Sequence, residues 1–199
     1  MIKIIDYKAG NAPSVFHALT YLGHKAEFAR GPEDIANASR IILPGVGNAQ
    51  ATMDSLEELR LLSPLEQAVR GKKKIPFLGI CVGMQVLFEY SEEGGNVKCF
   101  GWLPGRIIRY DAQKVRVPQM GWNKVKFIKD TNIFADEDYF YFVNSYYAEA
   151  DYNDIWGEAD YGGTFTAAVN RGNIYGTQFH VEKSGEAGLK LLDDFVRWG

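Results

Sequence analysis

One stretch restricts the folding of this chain more than any other. In Ile75-Pro-Phe-Leu-Gly-Ile-Cys-Val-Gly-Met-Gln85 a short apolar run passes without a polar break into Gly79-Ile-Cys-Val-Gly83. An apolar run of this length, ended by glycines, reads as a strand buried on both faces. A helical pattern through Met84, Val86, Leu87 and Phe88 follows, so the turn between the two has to be sharp. This is the G-x-nucleophile-x-G elbow with cysteine in the place of serine. The flanking glycines let neighbouring backbone come close, and the strained central residue pushes its sulfur outward. A helix starting just beyond aims unpaired N–H groups and the positive end of its dipole at Cys81, which favours the thiolate. Most free cysteines are small buried hydrophobes. Two glycines and a preceding strand argue against that for Cys81, whereas Cys99, in Asn96-Val-Lys-Cys-Phe100, has no such framing.

Around the elbow, residues 2–5, 25–28, 41–43 and 75–80 read as strands. Val15, Ala18, Leu19 and Leu22 recur at i, i+3, i+4 and i+7, one face of a helix that begins near Asn11-Ala-Pro13 and ends at Gly23. That is a βαβ start. Beyond Gly101 the strand-like pieces 106–110, 123–128, 139–147, 164–169 and 174–179 follow one another through short turns and look antiparallel or mixed. Ala187, Leu191, Leu192, Phe195 and Val196 give the last stretch a helical apolar face. The expected fold is one α/β domain over residues 1–199, with a central, mostly parallel sheet flanked by helices and an antiparallel or mixed extension.

The net charge of −3, with no basic run beyond Lys72-Lys-Lys74, gives no sign of a nucleic-acid surface, and no nucleic-acid partner is expected. The first residues, 1–6, are apolar but reach a charge and a glycine-containing turn too soon for a signal peptide or a membrane span, so a cytoplasmic protein is expected. Two cysteines make a poor disulfide framework, and no C-x-x-C or H-x-x-x-H pattern suggests zinc. No metal or other cofactor is expected.

A cysteine that cleaves an amide needs a group to manage its proton, and histidine is the usual one near neutral pH. Of the three histidines, His17 lies within the amphipathic helix and His24 just after its closing glycine, where solvated surface positions are the ordinary explanation. His180 ends the apolar run Ile174-Tyr-Gly-Thr-Gln-Phe179, and Glu182 follows two residues on. On an extended chain those two side chains project to one face, so the carboxylate can orient the imidazole and stabilise its charged form. Another strand ends in Pro44-Gly-Val-Gly47. This is either a tight turn or a loop whose backbone N–H groups hold a tetrahedral oxyanion, with the Val82 N–H as second donor.

The set Pro44-Gly-Val-Gly47, Gly79-Ile-Cys-Val-Gly-Met-Gln85 and Phe179-His-Val-Glu-Lys-Ser184 resembles the class I glutamine amidotransferases. Within them it is most similar to the glutaminase subunits of imidazole glycerol phosphate synthases. Asp6-Tyr-Lys-Ala-Gly-Asn11, Met120-Gly-Trp-Asn123 and Tyr141-Phe-Val-Asn-Ser-Tyr146 extend the likeness over nearly the whole chain. The resemblance implies that Cys81 attacks the carboxamide of L-glutamine, that His180 protonates departing ammonia and activates water, and that Glu182 orients His180. It implies further that Gln85, Glu93 and Ser145 hold glutamine and that Gly47 and Val82 serve the oxyanion. Gln85, one helical turn past Cys81, can face the same pocket, while Glu93 reads equally well as a solvated helix end.

Three positions depart from the family's usual pattern: Val181 replaces a proline, and Gln119 and Asn144 replace histidines. The resemblance sets them in elements near the partner-facing side, which opens the identity of the ammonia acceptor. Ammonia released into water would be protonated and diluted, and no second catalytic cluster or phosphate-binding glycine loop occurs in the chain. A partner is therefore expected. The resemblance points to a (β/α)₈-barrel cyclase, with Trp122, Asn123 and Lys183 as contact candidates. A paralogue feeding another amidotransferase, a stand-alone γ-glutamyl hydrolase and a non-catalytic binding subunit are the alternatives.

Overall fold

The computed structural model describes residues 1–7, 11–133 and 137–198. Lys8, Ala9 and Gly10, the middle of the motif spanning 6–11, lie outside the described residues. The first part alternates strand and helix: β1 (Ile2–Ile5), α1 (Ala12–Tyr21), β2 (Ala26–Ala29), α2 (Pro32–Ile35), β3 (Arg40–Gly45), α3 (Ala49–Glu58), α4 (Leu62–Arg70), β4 (Phe77–Cys81) and α5 (Val82–Gln85). β1 and β4 are buried along their whole length and β3 along nearly all of it. Such apolar runs need cover on both faces of a sheet. α1 turns Val15, Ala18 and Leu19 into the core, as their spacing predicts, and Leu22 is partly covered.

The second part supplies β5 (Tyr90–Ser91), β6 (Val97–Lys98), β7 (Gly105–Arg109), β8 (Gln119–Phe127), β9 (Asp138–Asn144), β10 (Tyr146–Ala150), β11 (Ile155–Asp160), β12 (Thr164–Arg171), β13 (Ile174–Thr177) and α6 (Gly185–Arg197). The strands join in the order β2-β1-β3-β4-β13-β12-β10-β7-β5-β6, with β11, β8 and β9 branching from β12. From β2 to β13 all neighbours are parallel, and β12 then turns antiparallel to β13. The α/β fold with a mixed extension is thus present. What matters for function is the insertion of β13 beside β4, with Gly176 opposite Gly79 and Thr177 opposite Ile80. Two segments about a hundred residues apart in sequence therefore end side by side.

Three expectations need correction. The helix after Cys81 lasts a single turn, because the carbonyls of Val86, Leu87 and Phe88 accept N–H groups from Phe100, Gly101, Trp102 and Leu103 instead of from a continuing helix. The strand expected over 139–147 is broken at Ser145, whose carbonyl accepts the Tyr110 N–H. His24 is not a solvated residue: its Nε2 lies 2.6 Å from Asp193 Oδ1, tying the end of α1 to α6. α6 buries Leu191, Leu192 and Phe195, each contributing about 2 kcal/mol. No helix among the described residues is long and apolar enough to cross a membrane.

Candidate active site

Cys81 closes β4 with φ 55° and ψ −111°, a conformation that non-glycine residues rarely adopt and that costs about 1–3 kcal/mol. The neighbouring packing enforces it. A Cβ on Gly83 would stand 1.9 Å from the Leu43 carbonyl oxygen, and one on Gly79 would stand 2.3 Å from that of Gly83. Backbone of β3, β4 and α5 therefore interlocks where side chains are missing, and the sulfur is held at the carboxyl end of the parallel block, the usual place for a ligand site in such sheets.

His180 follows β13. Its N–H donates to Tyr141 O (2.9 Å), its carbonyl accepts from Ser184 Oγ (2.6 Å), and that same Oγ accepts the Tyr141 N–H (3.0 Å). These bonds clamp the residue to β9. The Glu182 carboxylate reaches back to hold Nδ1 at 2.9 Å, though over a 3₁₀ turn (Val181–Lys183) rather than the extended backbone expected. With Nδ1 engaged, the other ring nitrogen is left for the sulfur, and ring and thiol are hydrogen-bonded. Burial opposes a charge on His180, but the bonds to Cys81 and Glu182, and their charges, outweigh it and raise its pKa to about 10. Burial likewise penalises the Glu182 carboxylate, yet the His180 bond and charge hold its pKa below the usual carboxylate value.

A cavity of about 310 Å³ opens beside Cys81 and His180, and Gly47, Val82, Gln85, Glu93, Ser145 and Lys183 all border it. Gly47 has φ +99° with open space where a Cβ would stand, so its backbone conformation, not crowding, calls for glycine. Glu93 is no solvated helix end: burial raises its pKa, opposed by a hydrogen bond from the Ala49 N–H at the start of α3. Trp122 and Asn123 do not border the cavity. Trp122 is 56% exposed and packs edge-on against Tyr141, while Asn123 donates to Asp160 O on β11.

Gln178 was missed. It is fully buried, its Nε2 lies 3.6 Å from Cys81 Sγ, and its Oε1 accepts from Gln85 Nε2 at 2.9 Å. Its position two residues before His180 on a strand-like run was the available signal. Gln119, Asn144 and Val181, which depart from the family pattern, are buried within the chain, and Asn144 borders the cavity. Gln119 and Asn144 face each other across β8 and β9. Tyr110 bridges them, donating to Gln119 Oε1 (3.2 Å) and accepting from Asn144 Nδ2 (3.3 Å). Two departures are thus one connected feature.

A cysteine on a strained strand end, an imidazole and carboxylate beside it and a cavity of small-molecule size describe the class of α/β enzymes that use a cysteine nucleophile. Within that class, this chain belongs to the glutamine amidotransferase class-I family, whose model matches residues 3–198. It is 46% identical over 202 residues to the imidazole glycerol phosphate synthase subunit HisH of Desulfitobacterium hafniense, covering 100% of this chain and 94% of that one. It is 42% identical to the chloroplastic imidazole glycerol phosphate synthase hisHF of Arabidopsis thaliana, where the match covers 98% of this chain but 34% of the relative. A crystal structure of a glutamine amidotransferase superposes with a TM-score of 0.79 at 16% identity, over 99% of this chain and 97% of that one. That likeness speaks for the fold alone.

Proposed function

We propose that this chain is the glutaminase subunit of an imidazole glycerol phosphate synthase, working in the cytoplasm beside a (β/α)₈-barrel cyclase that takes up the ammonia. The observation that carries the reading is the meeting of Cys81 and His180 at one cavity, with Glu182 bonded to the imidazole from behind, in a chain so similar over its whole length to a named synthase subunit. The Cys81 thiolate attacks the carboxamide carbon of glutamine, forming the C–S bond and an oxyanion held by the backbone N–H groups of Gly47 and Val82. As the oxyanion collapses, the C–N bond breaks and the His180 imidazolium gives its proton to the departing nitrogen, leaving ammonia and a γ-glutamyl thioester. Neutral His180 then takes a proton from water, the hydroxide attacks, the C–S bond breaks and glutamate leaves. Glu182 orients the ring throughout. Gln85, Glu93 and Ser145 hold the amino acid, and Lys183 with Trp122 and Asn123 meets the partner.

A partner follows from the product as well, since free ammonia is protonated near pH 7, and the Arabidopsis relative is about three times as long as the matched stretch. Gln119, Asn144 and Val181, the departures that opened the choice of acceptor, are buried within the chain. The test is glutamate release from glutamine by the purified chain, alone and with a cyclase subunit and its nucleotide ligand. Slight activity alone, strong stimulation by the cyclase and complete loss in Cys81→Ala are expected. Stimulation by another synthase but not by the cyclase would overturn the partner.

A further inference from the structure

Asn11 stands at the N-cap of α1, where an asparagine side chain ordinarily accepts a backbone N–H from the first helical turn. Here it makes no such bond. Its Nδ2 donates instead to Glu182 Oε1 at 3.0 Å, the oxygen that also holds His180 Nδ1 at 2.9 Å. Its Oδ1 accepts from Ser14 Oγ at 2.7 Å. The chemistry of the partners settles which way the amide faces: an ionised carboxylate only accepts, so the NH₂ edge must meet Glu182, and the Ser14 hydroxyl then donates to Oδ1. The other carboxylate oxygen, Glu182 Oε2, is buried with no hydrogen-bond partner among the described residues. Among the described residues, side-chain support for the carboxylate therefore arrives through Oε1, from His180 and Asn11.

A helix cap has thus been diverted to a buried carboxylate one step removed from the imidazole. We propose that Asn11 is a positioning residue for the reaction, fixed by Ser14 and acting on Cys81 only through Glu182 and His180. The proposal rests on the reading of Cys81, His180 and Glu182 as the reacting set. Around the pair stand Cys81 on β4, His17 and Tyr21 on α1, Tyr141 on β9, Lys183 on its own turn, and Tyr7 near the sulfur. Among the described residues, Cys81 is the one titratable side chain outside the pair that bonds to it.

The variants that test this are Asn11→Ser, whose hydroxyl can cap α1 but is too short to reach Glu182, and Ser14→Ala, which leaves Asn11 in place but unfixed. Two readouts are taken: kcat and KM for glutamine with the cyclase bound, and the titration of the His180 ring by NMR in the isolated full chain without glutamine. Asn11→Ser is expected to melt no lower than the parent, to lose about tenfold in kcat with KM within twofold, and to titrate His180 about one pH unit lower. Ser14→Ala should move the same quantities the same way, by about two- to threefold in kcat. Parental kcat and titration in both variants, or a loss of kcat without a shift in the His180 titration, would overturn the proposal. Because the titration needs no turnover, it still judges Asn11 if the parent chain releases no glutamate, a result that would count against the proposed function instead.

Discussion

The two halves of this sheet are built on opposite terms. β1, β3 and β4 lie between helices, buried almost throughout and locked at the elbow by backbone contacts that leave no room for a Cβ. β9, by contrast, alternates buried with exposed or half-buried positions, as a strand with one solvated face does. Cys81 comes from the first kind of structure, and much of the cavity wall and the clamp on His180 come from the second. Strained dihedrals need surroundings that over-determine them, whereas a wall that shapes a pocket needs positions free to vary. The site sits at the seam between β4 and β13, where both kinds of support meet.

The sharpest way to break this division is Cys81→Ala, expected to cut glutamate release by about 10⁴-fold or more in a rate assay while the fold persists. Glu182→Gln should cost on the order of 10³-fold, and it also has a signature in stability. His180 has its pKa raised from 6.5 to about 10, so its share of the stability is full below pH 6.5 and is lost as the pH climbs through 10. Glu182 has its pKa lowered from 4.5, so its share is present above pH 4.5 and is lost on acidification. The stability gap between parent and Glu182→Gln, measured by denaturant unfolding, is therefore widest between pH 4.5 and 6.5 and narrows toward pH 10. Gly83→Ala, which drives a methyl group into the Leu43 carbonyl, should cost about 3 kcal/mol or more. Gly121→Ala on β8, where φ is +134° but the space is open, should cost only about 1 kcal/mol. Equal losses at the two glycines would erase the contrast between the halves. Tyr110→Phe, which leaves buried Gln119 Oε1 and Asn144 Nδ2 each short of a partner, is expected to cost about 1–2 kcal/mol. The smallest effect belongs to Cys99→Ala: burial pushes that thiol up to about 11, so alkylation near pH 8 should mark Cys81 alone and activity should stay within twofold.

Local pattern carried the sequence reading as far as backbone strain and apolar periodicity reach. The elbow was legible because glycine on both sides of a cysteine after an apolar run admits few conformations. α1 and α6 were legible because one apolar face repeats over three turns. The length of α5 was not, since its continuation is cut short by N–H groups from residues 100–103, which local sequence does not reveal. The same holds for Asn11, Tyr110 and the His24 contact with Asp193, each of which depends on a partner far along the chain. Of the three residues singled out from the chain, Cys81 and His180 border the cavity and Glu182 bonds His180, but a 3₁₀ turn rather than extended backbone joins the last two. Gln178 would have been found by extending the two-residue spacing argument back from His180.

The placement of β13 next to β4 has a consequence during synthesis. A ribosome finishes the sulfur-bearing segment about a hundred residues before the imidazole emerges, and the later strand must slot in beside the earlier one for the two to meet. Under the proposed mechanism, any fragment that ends before that event carries a thiol without its proton acceptor, so an incomplete chain is unable to spend the cell's glutamine.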